Sequence, residues 1–175
     1  MGVLSLRQGY LEEFDVIADG VFEAICQTFP TICHTRLRVV ECYERQGQVA
    51  QGDFTTTANI SHGMGSTLCS ISVHRDVYLN LIRNVFPKEV ATEINQDTRD
   101  LLLSVMRRSL YLAAKFLQDK DVRPSAAGQL LIEGNSHNLY VPSNVKTKVV
   151  VCETDHGNLY LQFSRFPKEG LDLIA

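Results

Sequence analysis

The sequence predicts an α+β fold, an antiparallel sheet with helices packed on one face, in the order helix, three strands, helix, helix, three strands. Three observations lead to it. Apolar residues recur at helical spacing over residues 10–29 and again over 88–118. Each of these segments is followed by three short stretches of β-branched or alternating residues. The polar loops joining those stretches are short, which favours antiparallel pairing between sequential strands. The two halves therefore repeat one order of elements, and a chain of 175 residues fits one domain, residues 1–175.

In the first helix Leu11, Phe14, Ala18, Val21, Phe22, Ile25 and Phe29 form the apolar stripe, with Glu12, Glu13, Asp19 and Glu23 between them. It is expected to stop before Pro30, whose ring cannot continue the ladder. Residues 36–44 carry Leu37, Val39, Val40, Cys42 and Tyr43 among charges, the pattern of a strand near an edge, and the polar stretch 45–52 reads as a loop. Residues 54–60 and 67–73 alternate as two strands of a hairpin, with Gly63 and Gly65 in the reversal. A second helix is expected over 77–86, capped by Asp76, buried through Val77, Leu81, Ile82 and Val85, and ended by Pro87.

The longest helical pattern, 88–118, presents Ile94, Leu101, Leu102, Val105, Met106, Leu110, Ala113, Phe116 and Leu117 on one face, as one helix or as two broken near Asn95. A polar segment with Pro124 leads to strands over 129–133, 146–153 and 158–163, the last two joined by turn residues Asp155, His156, Gly157 and Asn158.

Charge and composition exclude several classes of function. Lys plus Arg number 17 against 20 for Asp plus Glu, a formal charge of −3, so no positive excess is available for nucleic acid. No apolar run reaches the ~18 residues of a membrane helix, and the N-terminus lacks a signal-peptide core, so a cytoplasmic protein without membrane contact is expected. The five cysteines are scattered and suggest reduced thiols rather than a disulfide framework. His34, His62, His74, His137 and His156 show no ligand spacing, no metal or other cofactor is implied, and no nucleophile elbow is present. Gly63-x-Gly65 lies between strands, where a phosphate loop would need a following helix. The sequon Asn59-Ile60-Ser61 is idle without a secretory route.

The start of the long helical pattern is acidic. Glu89, Glu93, Asp97 and Asp100 recur at helical intervals and on a helix would share one face away from the apolar stripe. Such a row is either a solvated face whose charges complement the helix dipole, or a negatively charged docking ridge for a basic-rimmed partner.

The order of elements and this acidic stretch together resemble the CheC and CheX family of bacterial chemotaxis phosphatases. The similar parts are the hairpin over 53–73 leading into the helix at Val77, the stretch 97–110, the segment from Pro124 to Gly134 and the terminal strands around Gly157. Active members carry an acidic or serine residue, a glutamate four residues on, an asparagine three after that and a later proline. In this chain the register sets Glu93 first, Asp97 in the place of glutamate and Asp100 in the place of asparagine, with Pro124 one residue late. The first helix lacks a second site around 15–26, so the chain looks more like the CheX branch.

The resemblance implies a partner, the phosphorylated receiver domain of a response regulator, with Glu93 and Asp97 binding it. It implies Asp97 and Asp100 as the catalytic pair, Asp97 contacting a receiver lysine and Asp100 orienting water. Any magnesium would be carried by the receiver. An ionised carboxylate only accepts hydrogen bonds, and at ~4 Å and an effective dielectric of about 20 it repels a unit negative charge by about 4 kcal/mol. Falling wholly on the barrier, that is roughly three powers of ten in rate. The alternative is a non-catalytic binding module that recognises a receiver or another signalling protein, and a further one a purely structural dimerisation domain. The family also implies a homodimer paired through its sheets, with Val149-Val150-Val151 as a candidate uncovered strand.

Overall fold

The computed structural model describes residues 2–47, 49–88, 93–118, 125–139 and 141–168. In chain order the elements are α1 (Gly2–Ile32), β1 (Arg38–Gln46), β2 (Val49–His62), β3 (Gly65–Val73), α2 (Arg75–Val85), α3 (Leu101–Gln118), β4 (Ser125–Leu139), β5 (Lys146–Thr154) and β6 (Gly157–Pro167). The six strands form one sheet in the order β1-β5-β6-β3-β2-β4, with every pairing antiparallel.

That order is symmetric. Exchanging β1 with β4, β2 with β5 and β3 with β6 reads it back to front, so the expected repeat is a pseudo-two-fold about the β3–β6 pair. Each half lends its first strand to the other: β1 pairs with β5, and β4 with β2. The repeat extends to side chains. Thr55 and Ser72 face each other across β2 and β3 with hydroxyls 2.8 Å apart, and Thr147 and Ser164 do the same across β5 and β6 at 2.9 Å. The two pairs lie equally far from their hairpin turns, and all four residues are buried. Each hairpin's second strand opens on a glycine of positive φ, Gly65 at 149° and Gly157 at 125°; a Cβ on Gly65 would come 2.2 Å from the Phe166 carbonyl oxygen.

Alternation on the strands sets the core. Phe54, Ala58 and Ile60 of β2, Cys69, Ile71 and Val73 of β3, and Leu159, Leu161 and Phe163 of β6 point to the helix-covered face. They meet Ile17, Val21, Ile25 and Phe29 of α1, Leu102, Val105 and Met106 of α3, and Tyr78, Leu81 and Ile82 of α2. Gly20 brings α1 close to α3, since a Cβ there would lie 3.0 Å from Leu117 Cδ2.

Several local expectations are corrected by tertiary contacts. Helix α1 runs past Pro30 to Ile32. The proline removes one bond close to the helix end, while the fully buried Phe29 and Cys33 hold the last turn and Cys33 N donates to Phe29 O at 2.7 Å. Helix α2 starts two residues earlier than a cap at Asp76 would set it: His74 is its N-cap, and the carboxylate that accepts from its first turn is Asp53 of β2, at 2.8 Å from Arg75 N. The expected loop over 45–52 is mostly strand, because β2 pairs with the long β4 back to Val49. Val149, Val150 and Val151 are not uncovered: they are 1%, 5% and 6% exposed in β5, an interior strand. The outer strands are β1 and β4, and on β1 Val39 and Val40 are 48% and 47% exposed. Glu89 and Pro124 lie outside the described residues.

Candidate functional site

The continuous helix expected over 88–118 is not formed. Regular helix begins at Leu101, and residues 93–100 are a bend followed by tight turns, so Glu93, Asp97 and Asp100 do not share a helix face. Of the alternative, two helices broken near Asn95, the second is α3, starting at Leu101, while residues 89–92 of the first lie outside the described residues. All three acids are exposed.

The turn is built by short polar side chains. Asn95 Oδ1 accepts from the amides of Asp97 at 2.9 Å and Thr98 at 3.2 Å, while Thr98 Oγ1 accepts from the amide of Asn95 at 3.0 Å. This is a reciprocal capping arrangement, and it closes one helical turn, with Arg99 N donating to Asn95 O at 2.9 Å. The Thr98 hydroxyl also donates to Glu93 O at 3.3 Å, which fixes the chain entering the turn; Thr98 is fully buried.

What stops this turn from running on into α3 is Tyr78. Its buried hydroxyl lies 2.5 Å from the carbonyl oxygen of Arg99 and 3.2 Å from that of Thr98, and shares its one proton between them. In an unbroken helix those carbonyls would accept from residues 103 and 102. Of the two carbonyls, that of Thr98 also accepts from Leu101 N at 3.4 Å, a tighter i→i+3 bond than the α-helical ladder makes. A side chain inserted into the ladder in this way is an identifiable cause of a helix break. Asp100 immediately precedes α3: its carbonyl oxygen accepts from Ser104 N at 2.9 Å, and its exposed side chain stands at the positive end of an 18-residue helix.

Asp97 and Asp100 therefore stand exposed on a hydrogen-bonded collar, three residues apart, immediately before α3. Glu93 lies before the turn and is joined to it through its own carbonyl oxygen. Tyr78, Asn95 and Thr98, which hold the collar, are absent from the sequence-derived site. The Asn-x-x-Thr spacing is legible as a cap; the role of Tyr78 depends on α2 packing beneath the turn, which no local pattern shows. Burial pushes the Tyr78 phenol pKa up, the amides of Leu102 and Leu101 oppose this, and the charge of Asp100 adds to the rise. No group of three or more His, Cys, Asp or Glu side chains among the described residues is placed to hold a metal ion. Among the same residues no helix is long and apolar enough to cross a membrane.

No protein-family model matches the sequence, and no curated protein matches it. Solved structures do match its fold. The chemotaxis protein CheX from Desulfovibrio desulfuricans superposes with a TM-score of 0.74 at 18% identity, over 84% of this chain and 97% of that one. A CheC-like superfamily protein from Shewanella sp. PV-4 gives 0.74 at 14% identity, over 85% of this chain and 96% of that one. CheX in a CheX-CheY-BeF3-Mg2+ complex from Borrelia burgdorferi gives 0.57 at 8% identity, over 85% and 97%. The fold is that of the CheX and CheC-like proteins.

Replacing Tyr78 with Phe takes the hydroxyl donor from the Arg99 carbonyl and leaves the Thr98 carbonyl only its bond from Leu101 N, and is expected to cost about 1–3 kcal/mol in urea unfolding. The phenol's raised folded pKa means its contribution is whole below the unfolded value of about 10 and is lost as pH rises above it. The melting temperature of the wild-type protein should thus fall more steeply above pH 10 than that of Tyr78→Phe. Equal stabilities and parallel pH profiles would show that the hydroxyl does not hold the collar.

Proposed function

We propose that this protein is a two-component signalling protein of the chemotaxis type, which docks the collar at the start of α3 against the phosphorylated receiver domain of a response regulator. The observation that carries the reading is the exposed Asp97–Asp100 pair, held rigid on a fold shared with CheX, one of whose representatives is described in complex with CheY. Asp97 reaches a cation of the receiver, and Asp100 projects toward the aspartyl phosphate.

There Asp100 can only accept hydrogen bonds, so it orients a water by accepting its proton edge while the receiver's own metal and cations carry the phosphoryl charge. Its negative charge opposes the anionic phosphoryl group. The partial positive charge of the α3 N-terminus, about half an elementary charge, offsets part of that repulsion. Dephosphorylation is accordingly slow, and tight docking is the larger part of the function. Glu93 contributes as an exposed flanking acid.

A second reading, a homodimer joined along the sheet edge, is favoured by β1. This outer strand is exposed on both faces and carries Val39, Val40 and Tyr43 in the open. Light scattering at micromolar concentration is expected to give twice the chain mass of 19.6 kDa, and Val40→Lys to restore the single mass. A single mass for the wild type rejects the dimer.

The docking reading is tested by single-turnover decay of phosphorylated receivers with wild type, Asp100→Asn and Asp100→Ala. Wild type should bind and accelerate decay only slightly. Asp100→Asn, restoring a side chain that both donates and accepts, should gain at least about tenfold, and Asp100→Ala should lose what acceleration there is. If none of the three binds a receiver or alters its decay, the reading is wrong.

A further inference from the structure

The acids at the mouth of α3 are followed by a surface of opposite sign. Ser104, Arg107, Arg108, Tyr111, Lys115 and Gln118 are the exposed residues along α3's outer side, and at 100° per residue they fall within an arc of about 100°. Asp100 lies in line with them at its N-terminal end. The opposite side is buried through Leu102, Val105, Met106, Leu110, Ala113 and Leu117.

Tyr111 is 56% exposed, and its ring is held between two cations of the same stripe. Arg108 Cζ lies 5.7 Å from the ring centroid and Lys115 Nζ 4.7 Å from it. Arg107 is steadied from the side by Gln129, whose Oε1 accepts from Arg107 Nε at 3.2 Å. The ring thus already rests against both cations in the free protein, an arrangement that lowers the entropy lost on binding. Exposed aromatic and arginine side chains of this kind are what binding hot spots are made from.

The charges of the stripe meet no carboxylate among the described residues. Arg38, Lys148 and Arg165 each pair with a carboxylate, to Glu153, Asp19, and Asp15 with Glu44, whereas Arg107, Arg108 and Lys115 have none within ion-pair distance among those residues. Three cations on one helix face, in a chain of net charge −3, are a local reversal of sign. Three are too few to track a phosphate backbone against that net charge, and suffice for an acidic patch on a protein.

We infer that the outer face of α3 is the second half of the docking surface and takes a patch of carboxylates on the partner. This rests on the receiver reading above and adds its geometry. With Asp100 at the phosphoryl group and a rise of 1.5 Å per residue, Arg107 and Arg108 lie roughly 11–12 Å along the helix and Lys115 roughly 22 Å. The matching receiver carries its acids that far from its phosphorylated aspartate, and Tyr111 seats between them.

Calorimetric titration with beryllofluoride-activated receivers tests this. The triple reversal Arg107→Glu, Arg108→Glu, Lys115→Glu should weaken binding at least tenfold and remove most of its salt dependence. Tyr111→Ala, which leaves every charge in place, should weaken it about fivefold or more. Arg108→Gln with Lys115→Gln gives a milder loss in a protein whose helix is undisturbed, and Arg83→Glu on α2 changes nothing. Wild-type binding that ignores both the reversal and Tyr111→Ala overturns the stripe while the receiver reading stands. No complex with wild type overturns both. Tighter binding to duplex DNA or to anionic vesicles than to any receiver, lost in the triple reversal, overturns the assignment of a protein partner.

Discussion

A single phenol hydroxyl decides where the longest helical pattern of this chain becomes a helix. Tyr78 rises from α2 into the backbone ladder and donates its hydroxyl to the carbonyls of Thr98 and Arg99. A straight helix would have paired these carbonyls with the amides of residues 102 and 103, so the hydroxyl, with the Leu101 amide on Thr98 O, keeps them from being orphaned at the break. The capping exchange between Asn95 and Thr98 secures the other end of the same turn. Both devices are buried or half-buried, and the two carboxylates they carry are outside. The site is therefore rigid beneath and open above, which a docking surface needs if its side chains are to meet a partner without first being ordered.

The sheet supplies the platform for this arrangement. Because β1 crosses to β5 and β4 to β2, neither half folds its strands alone, and the two halves share one core under the helices. The matched hydroxyl pairs, Thr55 with Ser72 and Thr147 with Ser164, show the repeat at the level of single atoms. Each pair satisfies its own polar groups inside the sheet, where an unpaired hydroxyl would be costly. The second half differs from the first where function concentrates: α2 and the Asn95 turn stand between the halves, and α3 carries the outward stripe.

The strand pattern was legible in the sequence because alternation reports burial directly. Phe54, Ala58 and Ile60 on one side of β2, and Leu159, Leu161 and Phe163 in β6, needed no knowledge of partners. Boundaries were less legible for a reason seen at three places. At Pro30 the helix continues because buried Phe29 and Cys33 hold it; at residues 49–52 a polar loop is a strand because β4 pairs with it; at α2 the cap comes from Asp53, across the chain. In each case a distant contact outweighs a local preference. The same holds for the candidate site. Asp97 and Asp100 were found from their spacing, yet the helix face that spacing implied does not exist, and Tyr78, which places them, carries no local signature. The basic stripe of α3 was present in the sequence as the polar side of an amphipathic helix. Its meaning required knowing that Arg108 and Lys115 close on Tyr111.

The most direct test of the account is to map the contact. Chemical-shift changes of backbone amides, recorded as a beryllofluoride-activated receiver is titrated in, are expected to concentrate on residues 97–100 and on the outer positions of α3 from Ser104 to Lys115. The buried positions and strand β1 should stay unmoved. Changes confined to β1, to the β5–β6 turn or to any surface remote from the start of α3 would contradict the claim that this collar and helix face are where the protein meets its partner.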